Sequence, residues 1–328
     1  MESVFSGKNI QQCDLIVTEN CFLHCKMCHI WKHAKDDAQI SLAEYSKFFL
    51  SLREAVSGDL QIQFVGGEPL LKKEILELIR MASDLEFQTT MTTNGVLVNE
   101  NVAEALVRAG LSSLVFSLES IKEKKHDFLR GAEGVHHSIM RAIEYFKNHP
   151  APKLFIGTLI TGYNAEDLVE LAEWVNGQER IGSVYFQTVM QPFGSPEDPH
   201  WRSNEEFRFL WPDLDQVHKA LDELIALKKK GYKISNDVQQ LETFKAYFRA
   251  PERFIKKGQC NLGYHSFTVL PNGNAFLCLS LEPIGNIKTT PIAQMWTSDK
   301  ANAVRKKIAV CRNNCKLMVN CFFENERI

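Results

Sequence analysis

Three cysteines, Cys21, Cys25 and Cys28, form a C-x3-C-x2-C run in the stretch from Thr18 to Trp31. Nine cysteines in 328 residues would give such a triplet somewhere along a chain by chance roughly 0.7% of the time. Thiolates are soft donors, and three on one tight loop can hold three irons of a cubic [4Fe-4S] cluster. The fourth iron would then stay open to a substrate or cofactor, the property that separates catalytic metal sites from closed structural ones. A zinc site and a set of buried, unliganded thiols are the other readings of the same run.

A second group stands at the other end of the chain: Cys260, Cys278, Cys311, Cys315 and Cys321. The 69 residues from Cys260 onward hold five cysteines, where the chain-average density gives about 1.9, so a second metal centre is expected. One cubic cluster needs four ligands. Cys260 and Cys278 are taken as two of them; which of Cys311, Cys315 and Cys321 is spare stays open, and a zinc knuckle is the alternative. The ninth, Cys13, lies in an apolar run and reads first as a small core residue.

Thiol ligands of this kind belong to a reducing compartment. The first twelve residues lack the apolar h-region of a secretory signal, so a cytoplasmic location is expected and disulfides are not. No uninterrupted apolar stretch approaches the roughly 20 residues that span a bilayer; the closest, Leu154 to Ile160, is strand length. Lys and Arg total 38 against 40 Asp and Glu, a formal charge of -2. No broad cationic field is left for a nucleic-acid backbone or an anionic membrane surface.

The elements that must position these groups are legible as an alternation. Cys13–Val17, Gln61–Val65, Gln88–Thr92, Ser113–Ser117, Lys153–Ile160 and Ser183–Gln187 are rich in Val, Ile, Phe and Thr and read as buried strands. Between them, Ser41–Arg53, Lys72–Asp84, Asn99–Ala109, His136–Asn148 and Ala165–Asn176 carry apolar residues at helical spacing. Strict alternation implies right-handed crossovers and a parallel sheet, doubly wound or curled into a full or partial barrel. A long helix is expected over 213–230 and a mixed connector beyond it. From Gln259 a hairpin is expected, Phe267–Leu270 and Asn274–Leu277 around Pro271-Asn272-Gly273. We therefore expect residues 1–250 to form the main α/β domain and 251–328 a small cysteine-rich α+β domain stapled by metal.

Several motifs then fall in order on successive strand ends. After Cys21, Cys25 and Cys28 come Gly66-Gly67-Glu68-Pro69, Thr93-Asn94-Gly95, Ser117-Leu118-Glu119 and Arg130. In this the chain resembles the radical S-adenosylmethionine (SAM) superfamily, whose fold is a partial (β/α)6 TIM-like barrel with its site at the C-terminal strand ends. Gly273-x4-Cys278 and the late C-x3-C-x5-C resemble that family's SPASM/twitch extension, with five cysteines where a complete SPASM domain has seven.

The resemblance implies a SAM-binding [4Fe-4S] cluster on Cys21, Cys25 and Cys28, a second, auxiliary [4Fe-4S] cluster, and S-adenosyl-L-methionine as cofactor. It implies cofactor contacts from Gly66, Gly67, Glu68, Pro69, Asn94, Ser117, Glu119, Arg130 and Met27; Met27 stands where an aromatic residue is common. One-electron cleavage of SAM would give a 5′-deoxyadenosyl radical that takes a hydrogen atom from the substrate. The auxiliary cluster favours an oxidised or crosslinked product, formed with electrons from a flavodoxin- or ferredoxin-like protein. With the first cluster cysteine at residue 21, a small molecule, or a peptide delivered by another protein, is the expected substrate. Gln187, Gln191, Tyr264 and His265 are candidates to line its pocket. Two other readings are kept: a non-oxidative epimerase with Cys13 or a tail cysteine as hydrogen donor, and a non-catalytic iron-sulfur or zinc scaffold.

Overall fold

The computed structural model describes residues 10–32, 39–56, 58–253, 260 and 262–315. Six parallel strands open the fold: β1 (Gln12–Thr18), β2 (Gln61–Gly66), β3 (Gln88–Thr93), β4 (Ser113–Ser117), β5 (Lys153–Ile160) and β6 (Ile181–Thr188). They are the six expected, with ends moved by at most two residues. Helices α1 (Leu42–Ala55), α2 (Ile75–Asp84), α3 (Glu100–Arg108), α4 (Glu123–Arg130), α5 (Val135–Tyr145) and α6 (Leu168–Gly177) lie between them. Helix α1 opens on a capping box in which Ser41 and Glu44 satisfy each other's backbone donors, an arrangement that favours the helical start at that residue.

Helix α4 was not expected. Its sequence, Glu-Lys-Lys-His-Asp-Phe-Leu-Arg, buries only His126, Asp127 and Leu129, so a run of charge hides the apolar period that marks a helix. Gly131, in the left-handed conformation at φ 69°, ends it.

Burial alternates along these strands. In β5, Leu154, Ile156, Thr158 and Ile160 are buried while Phe155, Gly157 and Leu159 are half-exposed, and β2, β4 and β6 repeat the pattern. One face of the sheet is sealed by helices. The other faces the hollow of an unclosed, partial barrel and is incompletely packed, unlike the filled interior of an eight-stranded one. Ser117, Tyr185 and Gln187 stand on this second face.

Beyond β6 the chain forms α7 (Leu214–Lys229), as expected, and α8 (Val238–Arg249), which the polar sequence concealed. Residues 233–235 run beside β6, bonded through Lys233 O to Val184 N–H and Ser235 N–H to Val184 O. The Asn236 amide continues that role on Phe186, accepting its N–H at 2.7 Å and donating to its carbonyl at 3.0 Å. The outer edge of β6 is thereby covered.

A short helix α9 (Leu262–His265) leads into β7 (Ser266–Val269), β8 (Asn274–Phe276) and β9 (Gly285–Asn286), followed by α10 (Ile292–Thr297) and α11 (Asp299–Val310). The expected hairpin forms, with β7 antiparallel to β8. It is not a detached layer. Strand β7 pairs in parallel with β1, Gln12 to Leu15 against Ser266 to Val269, so one nine-stranded sheet runs β6-β5-β4-β3-β2-β1-β7-β8-β9. Buried Arg305 of α11 ties the segment together by donating to Gly263 O and Trp296 O, both at 2.8 Å. None of the described helices is long and apolar enough to cross a membrane.

Candidate iron-sulfur and SAM site

The cysteine loop leaves the C-terminal end of β1 and is pinned at three places. At its start, Gly67 and Glu68 donate backbone N–H bonds to Thr18 O and Asn20 O, each at 2.8 Å. In its middle, Lys26 N–H reaches Leu129 O of α4 at 2.8 Å. At its end, His29 N–H reaches Phe193 O, on the segment after β6, at 2.7 Å.

Glycines make these approaches possible. A Cβ on Gly67 would lie 2.1 Å from Asn20 O, and one on Gly66, at φ 136°, would lie 2.2 Å from Thr18 O. No side chain fits in either gap. The glycine pair therefore serves the seating of the loop. Gly131 was missed in the sequence, although a glycine directly after a helix ending in arginine is a recognisable stop signal.

Glu68 is completely buried. Its carboxylate accepts Thr93 Oγ1–H at 2.8 Å, Asn94 N–H at 2.9 Å and Leu70 N–H at 3.2 Å. Burial pushes its pKa up, while these three donors and the charge of Arg130 pull the other way. Glu68 and Asn94 are thus brought together; Pro69 starts the short turn that Glu68 caps.

Of the loop thiols, Cys25 is buried and Cys21 and Cys28 are half-buried. Burial raises Cys21 to about 11, with the neighbouring Cys25, Glu68 and Cys28 adding to the rise and the Leu23 N–H opposing it. Cys25 is also raised, first by burial, against the opposing charge of Arg130. Among the described residues, no group of three His, Cys, Asp or Glu is gathered closely enough to hold a single metal ion. Met27 is half-buried and packs against the core.

At the β4 end, Glu119 and Arg130 form a buried pair at 2.5 Å. The sequence did not reveal what surrounds it. Leu159 N–H donates to Glu119 Oε2 at 2.7 Å, Asn164 Nδ2 donates to Glu119 O at 2.7 Å, and His126 Nδ1 accepts Glu119 N–H at 3.1 Å. Ser117 is half-buried at the end of β4.

Among the described residues, the buried atoms without a hydrogen-bond partner include two donors at this site, Asn94 Nδ2 and Arg130 Nε. A buried unmet donor costs about 1–3 kcal/mol, so the pair suits a ligand rich in acceptors. Together with three loop thiols and a buried acid, they fit a cluster and a SAM molecule.

Two family models match the chain. One described as the radical SAM superfamily covers residues 15–175, and one described as an iron-sulfur cluster-binding domain, SPASM, covers residues 260–321. The chain belongs to the radical SAM superfamily. Its C-terminal segment is a SPASM domain, and the cofactors of this radical SAM protein are a SAM-binding [4Fe-4S] cluster, SAM and auxiliary iron-sulfur binding.

Among relatives, the AdoMet-dependent heme synthase of Oleidesulfovibrio alaskensis is 30% identical over 161 residues, covering 48% of this chain and 41% of that protein. The GTP 3',8-cyclase of Chlorobaculum tepidum is 30% identical over 230 residues, covering 64% of this chain and 65% of that one. The chain spans about half the length of the first curated relatives it matches, 41%, 48% and 57%. Among solved structures, Streptococcus suis SuiB bound to S-adenosylmethionine superposes with a TM-score of 0.71 at 16% identity, covering 94% of this chain and 73% of that one. This likeness is one of fold.

The remaining expected residues divide. Cys13 is fully buried beside Tyr45 on the helix-covered side of β1, which suits a core role and gives it no access to a substrate. Gln191 donates to Ser195 Oγ at 2.9 Å and to Pro196 O, and accepts Asp198 N–H at 3.2 Å. Its amide folds the connector. Gln187 faces the hollow. Tyr264 packs near the Arg305 guanidinium, 5.9 Å from its ring, and His265 O accepts Gln11 N–H at 2.8 Å. Cys260, Cys278 and Cys315 are half-buried and Cys311 is exposed; Cys321 lies outside the described residues.

Proposed function

We propose that this chain is an oxidoreductase-like radical SAM enzyme that removes a hydrogen atom from a small molecule or peptide and, with its auxiliary cluster, releases an oxidised or crosslinked product. Bound together, a [4Fe-4S] cluster with one open iron and SAM supply a one-electron cleavage that yields a carbon radical able to take that hydrogen. The reading is carried by one observation: the Cys21, Cys25 and Cys28 loop is seated directly against buried Glu68, with Asn94 Nδ2 and Arg130 Nε lacking protein partners nearby.

In this reading Cys21, Cys25 and Cys28 hold the cluster. Glu68 receives the methionine ammonium, Asn94 supplies a donor, and Met27 packs against the adenine. The inward face of β4 to β6, with Ser117, Tyr185 and Gln187, receives the substrate. In the tail, Cys260 and Cys278 with two of Cys311, Cys315 and Cys321 hold the auxiliary cluster, and a flavodoxin- or ferredoxin-like protein delivers electrons. The relatives named for heme and GTP chemistry support a small-molecule substrate; a SuiB structure bound to its precursor peptide SuiA supports the peptide alternative.

Anaerobic reconstitution followed by dithionite and SAM tests the proposal. Release of 5′-deoxyadenosine is expected. A protein that binds four irons on the loop cysteines and yet makes none, with any of its candidate substrates present, would refute it.

A further inference from the structure

Arg130 ends α4, and its guanidinium is engaged in a way that cofactor binding does not account for. Nη2 donates to Glu119 Oε1 at 2.5 Å, and Nη1 points at Cys25 Sγ at 3.9 Å, within reach of a hydrogen bond to sulfur. The Arg130 and Glu119 side chains are 12% and 4% exposed. In so dry a place a charge acts more strongly on its neighbours than it would in water.

Glu119 is itself immobilised. Its second carboxylate oxygen accepts Leu159 N–H at 2.7 Å, while Asn164 and His126 hold its carbonyl and its N–H. Glu119 fixes Arg130, and the backbone bond from Lys26 to Leu129 brings Cys25 to the same helix end. Three elements converge to aim one N–H at one sulfur.

We propose that Arg130, oriented by Glu119, sets the reduction potential of the loop cluster through a charged hydrogen bond to Cys25. This rests on the reading that Cys25 is a cluster ligand. Reduction adds negative charge to the cluster, and a nearby cation with an N–H···S bond stabilises the reduced form, so the potential rises. One N–H of each Nη is committed to this task, and Nε, which has no protein partner, is left for the SAM carboxylate. Arg130 is a positioning and tuning residue.

The test is an EPR-monitored redox titration of the full-length, anaerobically reconstituted protein without SAM, with iron and sulfide content as the loading control. The loop cluster is identified as the one whose EPR signal changes when SAM is added. Arg130→Met should lower its potential by about 59 mV, a tenfold loss in the one-electron reduction equilibrium. Arg130→Lys should fall between Met and the parent. Glu119→Gln, which removes the countercharge, should move the potential the opposite way, and the auxiliary couple should stay where it is.

Should Arg130→Met assemble poorly, the Lys and Gln variants still decide, because opposite shifts cannot come from a loosened fold. An unmoved loop couple in loaded variants, accompanied by weaker SAM binding, would overturn the proposal in favour of carboxylate binding. A parent protein with no SAM-responsive cluster would instead sink the function proposed above.

Discussion

Gly131 of the α4 terminus and His24 of the cysteine loop meet backbone to backbone: a Cβ on Gly131 would stand 2.2 Å from the His24 carbonyl oxygen. Since Gly131 also has φ 69°, an alanine there meets both a left-handed strain of about 1–2 kcal/mol and a collision that only movement of the loop relieves. Gly131→Ala is therefore expected to lower iron binding at the loop. Gly134→Ala is the control, at φ 78° but with open space around it. It should show the strain as a lower Tm with iron content unchanged; equal iron loss in both would reject the contact as the cause.

Gly67→Ala tests the opposite end of the same loop. Its Cβ would press within 2.1 Å of Asn20 O and part the bonds from Gly67 to Thr18 and from Glu68 to Asn20. Anaerobic reconstitution should yield less of the SAM-responsive EPR signal, while the auxiliary signal is kept.

Glu68→Gln keeps the shape of the side chain and removes its charge. If Glu68 receives the SAM ammonium, a charge-assisted bond worth about 1.5–3 kcal/mol is weakened, and SAM affinity should fall on the order of 10- to 100-fold. Equilibrium binding to cluster-loaded protein measures this. Unchanged affinity would assign the carboxylate to bracing Thr93 and Asn94 alone.

Acid should loosen the β4 to α5 region. Burial lowers the pKa of His126, with the charges of Arg130 and His136 adding to it, and burial lowers His136 as well. An unfolded histidine takes up a proton near pH ~6.5, whereas these two resist it in the fold. Their contribution is present in full above that pH and is lost as the pH falls below it. Unfolding midpoints should drop between about pH 7.5 and 5.5. His126→Phe should reduce that slope while lowering stability at the higher pH by about 1–3 kcal/mol, because Glu119 N–H loses its acceptor. A slope identical to the parent's would contradict the assignment, and the acid lability of bound clusters is common to both proteins.

Iron analysis separates the two cysteine groups. Two cubic clusters give about eight irons per chain, and Cys260→Ala or Cys278→Ala should remove about four while leaving 5′-deoxyadenosine formation detectable. Loss of all iron from either variant would show that the groups do not bind independently.

The six strands were legible because buried parallel strands are built from Val, Ile, Phe and Thr, and that composition survives in every one of them. Helix α4 was not, because Lys124, Lys125 and Asp127 interrupt the apolar period; Arg130 was found only through its place in a motif, not through the helix that carries it. Helix α8 hid for the same reason behind Gln239, Gln240 and Glu242. The hairpin turn at Asn272-Gly273 was readable, but a four-residue strand does not say which neighbour it pairs with, so the union of β7 with β1 came only from the structure. At the site, residue types announced the thiols, and Glu68 was found only through its place in a family motif. The tightness that makes Gly66, Gly67 and Gly131 necessary is a property of distances between remote segments, which no local pattern encodes. Gln187 and Gln191 looked equivalent in sequence, and only the connector's own hydrogen bonds tell them apart.

Strand β1 is flanked on both sides, by β2 and by β7. A chain trimmed ahead of Cys260 would lay bare the backbone of Gln12 to Leu15, a template on which further copies can stack. The strand that launches the thiol loop would become a sticky border, and attempts to express the catalytic half alone should meet precipitation before chemistry. Shuffling SPASM tails among relatives would have to carry a matching strand along with the cysteines.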